Sequence, residues 1–302
     1  MSFRSEKFLR YKGTKIPEQV HRLKSMPEDE LKKVFLEVLN RGVHGFCFSL
    51  YEEGQQPGDL ISEEQIRRRM EILAPHTTWI RSFASTEGNE WIPKIAKEFG
   101  LKTVVGAWLS DDLEKNREEI EGLIRLAKEG YTDIAAVGNE VLYRKDLTEE
   151  ELLAYITEVK NELPEIPVGY VDAYYEFVKR PKISELSDVI LCNCYPYWEG
   201  TPFEFSFDHM RHMYQLGIDA GKGKRVIITE TGWPSRGEGL GGATPSVRNA
   251  MNYFIKVHLW AVENEIETFY FSSFDEAWKV GAEGEVGAYW GIWDSKNKLK
   301  FA

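Results

Sequence analysis

Apolar residues along the 302-residue chain follow two alternating rhythms. Eight short runs rich in Val, Ile, Phe and Tyr read as strands: residues 45–51, 79–84, 102–109, 134–141, 167–173, 188–198, 225–233 and 268–278. Most are too continuously apolar for a sheet with one wet face, so they suit parallel strands covered on both sides. Between them lie segments with helical spacing: residues 63–73, 91–99, 112–129, 149–163, 175–186, 207–220 and 246–263. Ser62 and Thr148, each followed by acidic residues, mark helix starts, while Gly100 and Gly130 mark stops.

Strand and helix alternate from end to end, with no internal repeat and no low-complexity linker. This order predicts an α/β protein, a single (β/α)8 TIM barrel, rather than an open doubly wound sheet. No eighth helix follows the last strand, where only a Gly-rich tail with Tyr289, Trp290 and Trp293 remains. An extra N-terminal helix over residues 27–39, apolar at Leu31, Val34, Phe35 and Val38, is expected to pack beside the first and last strands and close the outer ring. The chain thus divides into an N-terminal extension, residues 1–43, and a catalytic barrel, residues 44–302.

Composition narrows the function. A 42% hydrophobic and 13% aromatic content can fill a core of this size, which excludes disorder. A net charge of −11 without a basic patch argues against nucleic acid as a partner. The acidic run at residues 116–121 reads as a solvated helix face. Cys47, Cys192 and Cys194 are too few for a disulfide framework and read as buried thiols. His209 and His212 lack a partner of ligand spacing and read as surface residues, so no metal is expected, and the Gly-rich residues 237–242 lack the Lys-Ser/Thr of a phosphate loop. No cofactor is implied. No run is long enough for a membrane span, and the first 13 residues have no apolar leader core. The chain as given reads as cytoplasmic, or as secreted or periplasmic if a leader has been removed.

Working residues in such barrels project from the C-terminal ends of strands. Two carboxylates stand there, Glu140 after the fourth apolar run and Glu230 after the seventh. A carboxylate directly after an apolar run is paired with a cation or functional, because an isolated buried charge is costly. Two at one end of a barrel point to a shared site, and a facing pair suits glycoside hydrolysis: one protonates the leaving oxygen, the other attacks carbon or activates water. Tyr195, Tyr197, Trp198, Trp233, Trp278 and Trp290 lie near strand ends, where flat rings stack on sugars. Trp79, Trp108 and Trp260 read as core.

Five stretches in this order carry a resemblance: Val137-Gly138-Asn139-Glu140-Val141, Asn193-Cys194-Tyr195-Pro196-Tyr197, Glu230-Thr231-Gly232-Trp233-Pro234-Ser235, Phe274-Asp275-Glu276-Ala277-Trp278-Lys279 and Tyr289-Trp290-Gly291-Ile292. Together they resemble glycoside hydrolase family 17, a retaining family of β-1,3-glucanases and glucanosyltransferases in clan A, on its bacterial or fungal branch. The resemblance implies Glu140 as acid/base and Glu230 as nucleophile, both catalytic, with Asn139 donating to the sugar 2-hydroxyl. It places Asn193, Tyr195, Glu276 and Lys279 around the substrate, and Phe83 stands where the family usually carries a tyrosine. The expected function is hydrolysis of β-1,3-glucan by double displacement. A transglycosylase using the same intermediate is the nearest alternative, and a non-catalytic glucan-binding barrel a remote one.

Overall fold

A computed structural model describes residues 15–302. The expectation about the opening 13 residues therefore lies outside the described residues. Eight parallel strands close in sequence order: β1 (Val43–Cys47), β2 (Thr77–Arg81), β3 (Lys102–Ala107), β4 (Ile134–Asn139), β5 (Val168–Ala173), β6 (Val189–Asn193), β7 (Arg225–Thr231) and β8 (Thr268–Tyr270). The (β/α)8 barrel read from the sequence is the observed fold.

The helices are α1 (Glu18–Arg22), α2 (Glu28–Asn40), α3 (Glu63–Leu73), α4 (Trp91–Glu98), α5 (Leu113–Lys128), α6 (Val141–Arg144), α7 (Glu149–Glu162), α8 (Tyr174–Lys179), α9 (Pro181–Leu186), α10 (Phe203–Gly221), α11 (Val247–Glu263) and α12 (Val280–Glu283). Their caps follow the sequence: the Ser62 hydroxyl accepts from the Gln65 amide, and Thr148 forms a reciprocal capping box with Glu151. Amphipathic α2 lies against α11, with the Phe35 ring tilted 5.0 Å from Phe254 and edge-on 5.1 Å from Phe301.

Several expectations need correction. The helix read over residues 175–186 is two, because Pro181 cannot continue the α8 hydrogen bonding and forces Arg180 out of helical geometry. The acidic run in α5 is not wholly solvated: Asn116 and Glu119 are buried, and Glu119 accepts from the backbone amides of Ser85 and Trp108, each at 2.9 Å. That carboxylate ties the chain leaving β2 to the chain leaving β3. His209 is buried as well, with Nε2 2.6 Å from Glu199. Finally, short helical turns follow β8, namely residues Ala277–Lys279, α12 and Glu285–Tyr289. The runs read over residues 188–198 and 268–278 leave the sheet after Asn193 and Tyr270, so their distal halves are loops over the barrel mouth.

All three cysteines are buried and unpaired. Among the described residues no group of acidic, His and Cys side chains could hold a metal, and no helix is long and apolar enough to cross a membrane.

Candidate active site

β4 ends in an abrupt turn. Gly138 has φ +82°, and a Cβ there would lie 2.9 Å from the Val141 side chain, so only glycine fits without displacement. Glu140 itself has φ +52°, a left-handed conformation that costs a non-glycine residue on the order of 1–3 kcal/mol. The Glu140 amide donates to Val171 O at 2.8 Å, which fixes the turn against β5, and the chain enters α6 at the next residue.

The turn presents the Glu140 carboxyl to the end of β6. There Asn193 Nδ2 donates to Glu140 Oε1 at 2.8 Å and to Glu230 Oε1 at 3.1 Å. Asn193 Oδ1 accepts from Thr229 Oγ1 at 2.9 Å, which fixes the amide with its NH2 toward the carboxylates. One nitrogen serving both acceptors holds those two oxygens within about 6 Å of each other. That is below the roughly 6.5–9.5 Å separation that admits a water between inverting carboxylates, and suits the roughly 5–5.5 Å of retaining ones.

Glu230 takes two more donors. Arg81 Nη1 donates to Oε1 at 2.6 Å and Tyr195 OH to Oε2 at 2.7 Å. Arg81 Nη2 reaches Asn139 Oδ1 at 2.5 Å, so one guanidinium joins the ends of β2, β4 and β7. Arg81 is 1% exposed, and its cation is the partner that lets a carboxylate lie buried here. Its plane lies 4.2 Å over Phe83, the ring that departs from the family's tyrosine. Among the described residues Glu140 has no cation in contact. Burial, and then the charge of Glu230, push its carboxyl up to about 7.

Both carboxylates line a cavity of about 420 Å³, a volume within the roughly 300–1,000 Å³ of small-molecule sites. Its walls include Tyr143, Tyr174, Tyr175, Tyr195, Trp198 and Phe271. Trp198 is 39% exposed and so offers a face for stacking.

Other expected residues lie further back. Tyr197 and Trp233 are each 1% exposed and do not face the cavity. Tyr197 OH donates to Glu238 O, and Trp233 Nε1 to Thr244 O, so these two rings brace the loop after β7 instead of stacking on ligand. Trp290 is also buried, donating from Nε1 to Glu283 at 3.1 Å. Glu276 and Lys279 form a buried ion pair at 2.6 Å, with the ammonium 4.3 Å over Phe271. Burial lowers the Lys279 pKa, but Glu276 and Glu283 outweigh it and hold the amine above its ordinary range. Asn139, at the end of β4, is not among the cavity-lining residues, and its Oδ1 accepts from Arg81.

Several contributors were not singled out from the sequence. Arg81 had a signal, a cation inside the apolar Trp79-Ile80 run. Trp108, read as core, is 38% exposed beside Arg144, whose guanidinium lies 4.5 Å over its ring. Glu199 and Glu283 line the cavity from loops, where periodicity carries no information.

The BtgE/BtgC glycoside hydrolase domain matches residues 45–291. The chain is 29% identical over 264 residues to the glucan 1,3-beta-glucosidase BGL2 of Candida albicans, covering 77% of this chain and 84% of that protein. It is 27% identical over 275 residues to the glucan 1,3-beta-glucosidase of Saccharomyces cerevisiae, covering 81% and 86%. Among solved structures, a glycoside hydrolase family 17 beta-1,3-glucanosyltransferase from Rhizomucor miehei superposes with a TM-score of 0.77 at 27% identity, over 86% of this chain and 96% of that one. An active-site mutant of the same transferase is known in complex with laminaritriose.

Proposed function

The chain belongs to the BtgE/BtgC glycoside hydrolase family, within glycoside hydrolase family 17, and from that premise we propose that it cleaves β-1,3-glucan by double displacement on Glu140 and Glu230. The observation that supports this most is the single Asn193 amide shared by the two carboxyls, which keeps their facing oxygens within about 6 Å, closer than an inverting pair needs.

In the first step Glu140, held protonated to about pH 7, gives its proton to the glycosidic oxygen as the bond from that oxygen to the anomeric carbon breaks. A Glu230 carboxylate oxygen forms the new bond to that carbon, giving a glycosyl ester and releasing the protonated leaving sugar. In the second step Glu140, now ionised, takes a proton from water, and the water oxygen displaces Glu230 from the anomeric carbon. Arg81, Asn193 and Tyr195 keep Glu230 oriented throughout. Asn139, anchored on Arg81 through Oδ1, keeps its amide NH2 for the sugar 2-hydroxyl, Trp198 supplies a stacking face, and the Glu276–Lys279 pair backs the wall formed by Phe271.

If a sugar hydroxyl replaces water in the second step, the same site is a glucanosyltransferase, a reading favoured by the likeness to the Rhizomucor miehei enzyme. The test is incubation of laminarin and short β-1,3-gluco-oligosaccharides with the parent protein and Glu230→Ala, with products resolved by chain length. Shorter products lost in the variant support hydrolysis, and products longer than the donor support transfer. No turnover by the parent overturns the β-1,3-glucan assignment.

A further inference from the structure

Helix α6 starts one residue after Glu140, which puts Glu140 at the position that ordinarily caps a helix with its own side chain. Glu140 makes no such bond, because its carboxyl is turned toward Asn193. The amides of the first turn still need acceptors, and β5 provides them. Leu142 N donates to Tyr170 OH at 3.0 Å, and Tyr143 N donates to Asp172 Oδ2 at 3.3 Å. Tyr170 OH in turn donates to Asp172 Oδ2, and Asp172 Oδ1 accepts from Ala173 N at 2.7 Å.

Both side chains are fully buried, and neither faces the cavity. Asp172 is in no ion pair among the described residues, so its burial is offset chiefly by these hydrogen bonds, with the charge of Arg144 acting at longer range. They converge on the turn that carries Glu140. Arg144, at the far end of α6, bonds back to Asn139 O and donates to Leu109 O at 2.8 Å, so the short helix is held at both ends.

We infer that Tyr170 and Asp172 are positioning residues that cap α6 from outside, replacing the cap its own first residue would give and thereby freeing the Glu140 carboxyl for proton transfer. The inference rests on Glu140 being the acid/base. A displaced acid slows cleavage of a poor leaving group, which needs the proton, and spares a good one, which does not. General loss of structure slows both alike.

The test measures kcat/KM for Tyr170→Phe, Asp172→Asn and Glu140→Gln on an unactivated β-1,3-gluco-oligosaccharide and on 2,4-dinitrophenyl β-laminaribioside. Asp172→Asn keeps the size of the side chain but leaves one acceptor oxygen for the three donors Tyr143 N, Tyr170 OH and Ala173 N, which disrupts the cap and keeps the series readable if Tyr170→Phe does not fold. Glu140→Gln sets the scale, with a loss on the order of 10²- to 10⁴-fold on the oligosaccharide and little on the activated substrate. The positioning variants are expected to lose on the order of 10- to 100-fold on the oligosaccharide, as for a misplacement of about 1 Å, and little on the activated one. Equal losses on both substrates, or none on either, overturn the capping inference while Glu140→Gln remains selective. Absence of selectivity in Glu140→Gln itself overturns the acid assignment and the inference with it.

Discussion

The ends of β4 and β7 each present a glutamate to one cavity, and the two are held in opposite ways. Glu230 sits near the end of β7, where the pairing with β6 and β8 shifts register, and accepts from a guanidinium, an amide and a phenol. Glu140 sits on a left-handed turn and accepts from one amide, with no cation in contact among the described residues. Three donors suit an acceptor-only carboxylate, the form a nucleophile needs, while burial without compensation suits a neutral acid. The environment around each group therefore assigns different work to chemically identical side chains.

The largest expected effect comes from removing the better-held group. Glu230→Ala should lower kcat by on the order of 10⁴-fold or more, as for loss of a nucleophile elsewhere. If the contrast holds, azide should restore turnover in Glu230→Ala with inverted stereochemistry of the product, because Glu140 can still protonate the leaving group. Product stereochemistry by NMR checks this, and restored turnover with retention would reverse the two roles.

Next is the cation that makes the two ends unlike. Arg81→Met leaves Glu230 buried without its ion pair, and loss of one partner of such a pair costs about 3–5 kcal/mol. Denaturant unfolding at pH 7 measures it, and kcat should fall as well because Asn139 loses the same anchor. Removing the buried carboxylate as well, in the double variant Arg81→Met with Glu230→Gln, should recover most of that deficit. A deficit that persists in the double variant would mean Arg81 contributes packing against Phe83 and not charge.

How far this contrast was legible in the sequence depends on the kind of signal. Each glutamate follows an apolar run, which sufficed to bring both to one barrel mouth. The strand periods and the caps at Ser62 and Thr148 are local and were read directly. Exposure at a strand end is not local: Trp108 and Trp233 both follow apolar runs, yet one is 38% and the other 1% exposed, because the loops that cover Trp233 come from elsewhere in the chain. The burial of Glu119 was available, since it shares a helical stripe with Asn116, Ile120 and Leu123, but its acidic neighbours masked it. The external cap on α6 was not available, because it joins two strands through side chains that sequence spacing does not relate.

A smaller effect probes the coupling between the carboxyls. The charge of Glu230 is the second cause, after burial, of the raised Glu140 carboxyl. Neutralising it in Glu230→Gln should move Glu140 down from about 7, measured by carboxyl-selective NMR or infrared titration. In the parent, the high-pH limb of kcat/KM should fall through pH about 7 as Glu140 loses its proton. A limb that stays in place when the medium is made less polar would point to a cationic acid instead.

The smallest effect is on stability, and its sign follows from the same burial. Glu140 titrates near 7 when folded and near its ordinary 4.5 when unfolded, so the folded state binds the proton more tightly. Its contribution is fully present below about pH 4.5, declines as pH rises, and is lost above about pH 7. Glu140→Gln, which cannot ionise, should therefore be more stable than the parent above pH 7 and equal to it near pH 4. The ceiling is about 3 kcal/mol at 1.36 kcal/mol per unit, and the gain should be well short of it because the side chain is partly exposed to screening water. Paired melting curves at pH 4 and pH 8 decide the matter. A variant no more stable than the parent at pH 8 would show that the left-handed turn, and not the desolvated carboxyl, is where this site stores its cost.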